Sequence, residues 1–310
     1  MPLPILNILP KNIIFNRPKI TLLMDGLAAK KDVEISMLRL DEIHPAVSGN
    51  KIFKLYYFIE EAINSPHKTI ITFGGAYSNH LAATAFAGKK TGLKTIGFVR
   101  GEKPKELSHT LLFCLGQGMK LEFMSRSSFK NIGEKSFLDS LKEKYGEHTL
   151  IPEGGFSLKG ARGAALITQF FNKETYTHIC LAVGTATTFA GIINGAQNET
   201  EVTGFSVLKN MNDISERLNE LKADPSYKFS FIHDYHFGGY AKKTNDLISF
   251  MNQFYTKHSI PLDFVYTGKM MFGVFDLIKK NHFPKDSKIL CIHTGGLQGN
   301  KSLPKGALIF

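Results

Sequence analysis

Lys51 follows Ser48-Gly49-Asn50 and opens a run of helical period, KIFKLYYFIEEAIN. A lone lysine is usually a solvated charge. A lysine that condenses with a carbonyl coenzyme needs company: an anion anchor, a donor for the ring oxygen, a partner for the ring nitrogen and a carboxylate site. Three turns in the chain supply candidates for these roles. In Gly74-Gly75-Ala76-Tyr77-Ser78-Asn79-His80 a β-rich run ends in paired glycines, and small and polar residues then open a helical segment. Its N–H groups and the Ser78 hydroxyl suit a carboxylate or a ring oxygen, and a plain helix cap at Ser78 or Asn79 is an equal reading. Val183-Gly184-Thr185-Ala186-Thr187-Thr188 has the composition of a phosphate cradle. It has neither the lysine of a P-loop nor the GxGxxG of a dinucleotide fold, and a bare strand-to-helix turn is its bland alternative. The third turn, His293-Thr294-Gly295-Gly296, again sets a hydroxyl and glycines at a strand end.

The elements around these turns alternate. Eight β-rich runs (33–40, 68–73, 93–99, 119–124, 177–183, 201–207, 228–233 and 288–293) are separated by segments of helical period at 51–64, 78–91, 106–117, 134–145, 158–172, 186–196, 211–222, 242–257 and 268–280. This alternation predicts an α/β protein with parallel sheets covered by helices on both faces, and ligands gather at the carboxyl ends of such strands. A turn is expected at Met24-Asp25-Gly26-Leu27. The 310 residues suffice for one large or two moderate cores, and 43% hydrophobic with 21% charged residues excludes a mainly disordered chain. Cys114, Cys180 and Cys291 lack metal-ligand spacing and read as buried thiols. His233 and His236 fix no coordination geometry, so no metal is expected. The net charge of +11 favours anionic ligands, but the basic residues are scattered, so no nucleic-acid partner is expected. No apolar run is long enough to span a membrane and no secretion signal is seen, which sets the expected location in the cytoplasm.

Five separated motifs, SGNKIFKL (48–55), GGAYSNH (74–80), VGTATTFAG (183–191), VYTGKMMFG (265–273) and HTGG (293–296), preceded by RLDEIHP (39–45), occur in this order. In them the chain resembles the family of 1-aminocyclopropane-1-carboxylate deaminases and D-cysteine desulfhydrases. These are fold-type-II, tryptophan synthase β-like enzymes that use pyridoxal 5'-phosphate. The resemblance implies two open, twisted, mostly parallel sheets flanked by helices. It also implies a large cofactor-binding domain from residues 1–47 and 163–310, a small α/β domain at 48–162, and a homodimer. It makes Lys51 the Schiff-base lysine and proton-transferring base. Asn79 meets the ring 3'-oxygen, Gly184, Thr185, Ala186, Thr187 and Thr188 hold the phosphate, and Thr294 faces the ring nitrogen. Ser78, Asn79 and His80 hold the substrate carboxylate, with Tyr77, Thr267 and Gly295 also at the substrate and Tyr240 and Tyr266 flanking it.

Ring-opening deaminases of the family resemble one another in a Glu after the second tyrosine and a Leu before the glycine pair, where this chain has Thr267 and Thr294. A carboxylate near the ring nitrogen keeps it protonated and strengthens the electron sink, whereas a threonine does not. The expected activity is therefore α,β-elimination of a small amino acid of the D-cysteine type, giving pyruvate, ammonia and sulfide, with lyase and hydrolase character. The 1-aminocyclopropane-1-carboxylate and D-serine deaminases remain alternatives. Tyr77 stands where the family usually has Gln, which alters the pocket. Readings from other classes are a nicotinamide-binding oxidoreductase and a nucleic-acid-binding protein suggested by the charge.

Overall fold

The computed structural model describes residues 15–197 and 199–310. They form two compact units, one holding Lys51–Gly163 and the other Asn16–Asn50 with Ala164–Phe310. The first unit alternates α2 (Lys51–Asn64), β3 (Thr69–Gly75), α3 (Asn79–Thr91), β4 (Lys94–Arg100), α4 (His109–Gly116), β5 (Lys120–Met124), α5 (Lys135–Tyr145) and β6 (Thr149–Ile151). Its sheet runs β5-β4-β3-β6, all parallel. Because side chains alternate along a strand, β4 sends Val99 to a cluster with Leu81, Leu111, Cys114 and Met119 on one face, while Ile96 and Phe98 join Ile71, Phe73, Phe129 and Leu141 on the other. Both faces are thus buried, as a parallel sheet requires.

The second unit contains β1 (Ile20–Leu22), α1 (Gly26–Lys30), β2 (Glu34–Arg39), β7 (His178–Val183), α7 (Thr187–Gly195), β8 (Glu201–Ser206), α8 (Ile214–Glu220), β9 (Phe229–Ile232), α9 (Asn245–His258), α10 (Thr267–Lys279) and β10 (Lys288–His293), and α6 (Leu158–Ala165) runs across the border of the two units. Strand order is β1-β2-β10-β7-β8-β9, parallel except for β1. Its core gathers Met37, Cys180, Phe205, Met251, Met270, Val274, Ile289 and Cys291. Cys180 and Cys291 are register partners on β7 and β10, and all three cysteines are buried and free. Among the described residues no helix is long and apolar enough to cross a membrane.

Helix starts follow the local chemistry. The side chains of Ser78, Ser108 and Thr244 each accept an N–H of the first turn of α3, α4 and α9. The expected turn at 24–27 instead opens the short helix α1, because the Asp25 carboxylate accepts from the N–H groups of Leu27 and Ala28. The helix expected over 158–172 stops being α-helical at Ala165 and tightens into a 3-10 turn at Leu166–Phe170, where the Thr168 hydroxyl donates to the Ala165 carbonyl. The three-residue strands β1 and β6 are additions to the expected runs, each too short to show a period.

One close approach holds the second unit's ligand-side turns in register. Gly49 has φ +84°, and a Cβ there would lie 2.0 Å from the Thr294 carbonyl oxygen; a Cβ at Gly295, φ +78°, would lie 2.8 Å from the Gly49 Cα. Two backbones cross here with no room for a methyl group. Gly49→Ala is expected to lose about 3 kcal/mol or more through left-handed strain and overlap. Gly26→Ala, which meets nothing within 4 Å, is expected to be near neutral. Denaturant midpoints of the two variants measure the contrast, and equal midpoints would refute it.

Candidate functional site

The expected site residues fall into two sets, one in each unit. In the second unit the Gly49–Gly295 crossing fixes Asn50, whose backbone N–H donates to the Thr294 carbonyl at 3.2 Å and whose side-chain amide donates to Thr188 Oγ1 at 2.7 Å. Lys51 is the next residue in the chain and the first of α2. Asn50 was not among the expected site residues, although its place inside the SGNK motif signals it. Behind the crossing, His293 Nε2 donates to the Pro261 carbonyl, which leaves Nδ1 to accept the Gly295 N–H at 3.2 Å. Asp41 Oδ1 lies 3.6 Å from that Nδ1, and Asp41 is held by two Arg39 bonds of 2.9 and 2.7 Å. Arg39 and Asp41 of the RLDEIHP motif are thus buried beside the HTGG turn.

Val183 ends β7 and Thr187 begins α7, with Gly184, Thr185 and Ala186 between them. Ala186 takes the N-cap position at φ +65° and makes no side-chain cap bond, while Thr185 and Thr187 hydroxyls lie 3.0 Å apart. The Ala186 methyl cannot cap the first-turn N–H groups of α7, and the positive end of the helix dipole there suits a phosphate. At Gly184 the nearest atom to a would-be Cβ is Tyr266 Cε1 at 3.4 Å. The Tyr266 hydroxyl donates to Tyr240 Oη at 3.5 Å and the rings meet edge to face, with Tyr240 half exposed. Thr267 was expected to touch substrate but is fully buried; its hydroxyl and N–H both go to the Asp263 carboxylate, which also accepts from the N–H groups of Val265 and Tyr266. Asp263 thus fills the orphan donors at the start of α10, a role that nothing local in the sequence announces.

In the first unit, Ser78 Oγ accepts the Leu81 N–H at 3.2 Å, so the hydroxyl caps α3. Tyr77 is exposed with its ring centroid 5.8 Å from that of His109. Asn79 Oδ1 is buried with no hydrogen-bond partner, an acceptor open to a donor. His80 is also buried. The Thr72 hydroxyl donates to the Ile151 carbonyl, so at 2.8 Å it accepts from His80 Nε2–H, leaving Nδ1 as a buried acceptor with no partner. Burial, and then the positive charges of Lys54 and Lys51, push His80 well below the usual histidine range. The ring therefore offers a lone pair and no charge, and what this position offers an anion is a first-turn N–H. Lys54, one turn after Lys51, is buried, and burial and the Lys51 charge push it well below the ordinary lysine range. The Gly155 turn packs beside both groups, with Lys54 Cε at 3.4 Å and His80 Cε1 at 3.7 Å from a would-be Cβ. Neither Lys54 nor Gly155 was expected, though the i, i+3 lysines of KIFK carry the signal for the first.

Taken by itself, the turn at 184–187 in the second unit suits a phosphate group, and, taken by itself, the Asn79 side chain in the first suits a polar ring substituent, so the residues of each unit fit a part of pyridoxal phosphate. Among the described residues no cluster of three or more His, Cys, Asp or Glu could hold a metal. His236 Nδ1 instead accepts the Gly238 N–H, and the His233 ring packs edge-on against Phe231.

Comparison with known proteins adds three likenesses. An Arabidopsis thaliana protein, named as a mitochondrial bifunctional D-cysteine desulfhydrase/1-aminocyclopropane-1-carboxylate deaminase, is 30% identical over 295 residues, covering 86% of this chain and 73% of that one. A Thermotoga maritima protein provisionally named a 1-aminocyclopropane-1-carboxylate deaminase is 31% identical over 298 residues, 88% of this chain and 92% of the other. The crystal structure of an ACC deaminase homologue superposes with a TM-score of 0.80 at 28% identity, covering 97% of this chain and 96% of that chain. The hydrolase character expected from the sequence is corrected by these likenesses: they are to a desulfhydrase and deaminases within a cofactor family of lyase chemistry, so that part of the expectation is withdrawn. Residues 20–295 match the family described as pyridoxal-phosphate dependent enzymes, and the chain accordingly belongs to that family, in the group of 1-aminocyclopropane-1-carboxylate deaminases and D-cysteine desulfhydrases.

Proposed function

We propose that the enzyme eliminates a thiol from the β-carbon of D-cysteine or a close analogue, with Lys51 as the lysine that carries the cofactor and moves the α-proton. The observation that carries this reading is the double anchoring of Asn50 to Thr188 and Thr294. The residue before Lys51 is tied to the turn assigned to the phosphate and to the threonine assigned to the ring nitrogen. When bound, pyridoxal phosphate supplies an aldehyde for the amine and an electron-drawing ring.

The chain's own residues divide the remaining work. Gly184, Thr185, Ala186, Thr187 and Thr188 offer N–H and hydroxyl donors to the phosphate, Asn79 its amide to the ring oxygen, and Thr294 its hydroxyl to the ring nitrogen. N–H groups at the start of α3, with Ser78, Asn79 and His80, take the substrate carboxylate, and Tyr77 and Gly295 border it. Tyr240 and Tyr266 flank the substrate on the phosphate-turn side. The Lys51 amine takes the α-proton, the thiolate leaves the β-carbon with the bonding pair, and water releases pyruvate and ammonia.

Thr267 favours elimination over ring opening through its neighbour. Its hydroxyl is given to the buried Asp263, so a carboxylate at 267 would face a second carboxylate, which is unfavourable in a buried site. Thr294 likewise brings no charge to the ring nitrogen. The same reading takes residues 48–162 as the smaller domain, 1–47 with 163–310 as the larger, and the working form as a cytoplasmic homodimer.

Purified enzyme is expected to be yellow and to form pyruvate and sulfide from D-cysteine, with Lys51→Ala losing both colour and at least about 1,000-fold in turnover. Oxobutyrate from 1-aminocyclopropane-1-carboxylate as the faster product would overturn the substrate assignment, and a fully active Lys51→Ala the mechanism. A second expectation concerns acid. The lowered proton affinity of His80 means that the unfolded chain binds a proton first as pH falls through about 6.5. Its contribution to stability is complete above that value and is lost progressively below it. Thermal unfolding between pH 7.5 and 5 should show a shallower loss for His80→Gln than for the native chain, and parallel curves would count against a neutral buried His80.

A further inference from the structure

α10 carries a lysine that the proposed reaction does not use. Lys269 has no exposed surface, and its Nζ donates to the carbonyls of His236 at 2.9 Å and Gly239 at 2.7 Å. Those carbonyls belong to a segment whose backbone is costly to hold. Phe237, Gly238, Gly239 and Ala241 have φ of +51°, +90°, +115° and +54°, and two of the four bear side chains that disfavour this region. Tyr240 lies inside this stretch.

The same face of α10 grips the segment at two further points. Phe272, one turn on, meets the Phe237 ring edge to face at 4.9 Å, and Asp276, one turn beyond that, accepts the Tyr235 hydroxyl at 2.7 Å. Residues 269, 272 and 276 follow the i, i+3, i+7 spacing of one helix stripe. At the N-terminus of this helix stands Tyr266, whose hydroxyl reaches Tyr240. One helix thus carries one tyrosine directly and sets the position of the other.

We propose that Lys269 is a positioning residue: by clamping the His236 and Gly239 carbonyls it holds the left-handed segment 237–241 so that Tyr240 meets Tyr266. Burial lowers the Lys269 pKa to about 8, with Asp263 opposing. A neutral amine still has two N–H donors, one for each carbonyl, so the clamp works in either protonation state. The inference rests on the proposed function only for Tyr240's role at the substrate.

Hydrogen exchange and kinetics on the holoenzyme test it together. In Lys269→Met, amides 237–241 should exchange at least about tenfold faster while those of β7 do not change. Phe237→Ala, which removes the ring contact with Phe272 and leaves every residue of α10 in place, should do the same and covers the case in which the methionine variant fails to fold. With D-cysteine, Lys269→Met should lower kcat/KM about tenfold when Tyr240 is present and less than twofold in a Tyr240→Phe background, because its effect passes through that tyrosine. Unchanged exchange in both variants, or the same loss in both backgrounds, overturns the proposal. If exchange rises but Tyr240→Phe turns over at the native rate, the clamp stands and the substrate role of Tyr240 falls.

Discussion

In the second unit the segment before α2 and the turn after β10 pass each other at Gly49 and Gly295 closely enough that neither position tolerates a β-carbon. Much of the ligand side of this unit depends on that contact. It lets the Asn50 N–H reach the Thr294 carbonyl and its amide reach Thr188, so the path of the chain into Lys51 is settled by backbone geometry. Beneath it the Arg39–Asp41 pair and His293 form a buried polar support. Such ion pairs gain little net stability once desolvation is counted. The His293 ring beside the pair is oriented by its Nε2–H bond to the Pro261 carbonyl, and its Nδ1 in turn accepts the Gly295 N–H.

α10 shows the same use of buried polar groups to set directions. At its start Asp263 takes N–H groups that would otherwise lack partners, and one turn in Lys269 takes two carbonyls from a distant loop. Each side chain is ionisable and fully buried, in a place where leucine would pack more cheaply. Both hold irregular backbone in which Tyr240 and Tyr266 are set.

The regular part of the fold was legible because its period is local. All eight expected β-rich runs overlap strands, and the apolar run HICLAV suits a strand buried on both faces. What escaped was short or non-local. β1 is an antiparallel edge strand of three residues, and α1 exists because one carboxylate caps it. At the candidate site the motifs marked the turns that follow β3, β7 and β10. They did not mark which way a side chain turns: Thr267 faces Asp263, and the His80 ring faces Thr72. Those orientations are decided by partners four to eight residues away in sequence but on other elements, beyond the reach of spacing arguments.

The three thiols have a practical corollary. Cys180 and Cys291 lie side by side in the central strands, and Cys114 is on the buried face of α4, where burial pushes its pKa up to about 12. A thiolate-seeking reagent therefore meets no reactive sulfur on the native surface. Modification must wait for the strands to part, so the rate at which Ellman-type colour develops becomes a clock for opening of the two cores, with no engineered label required.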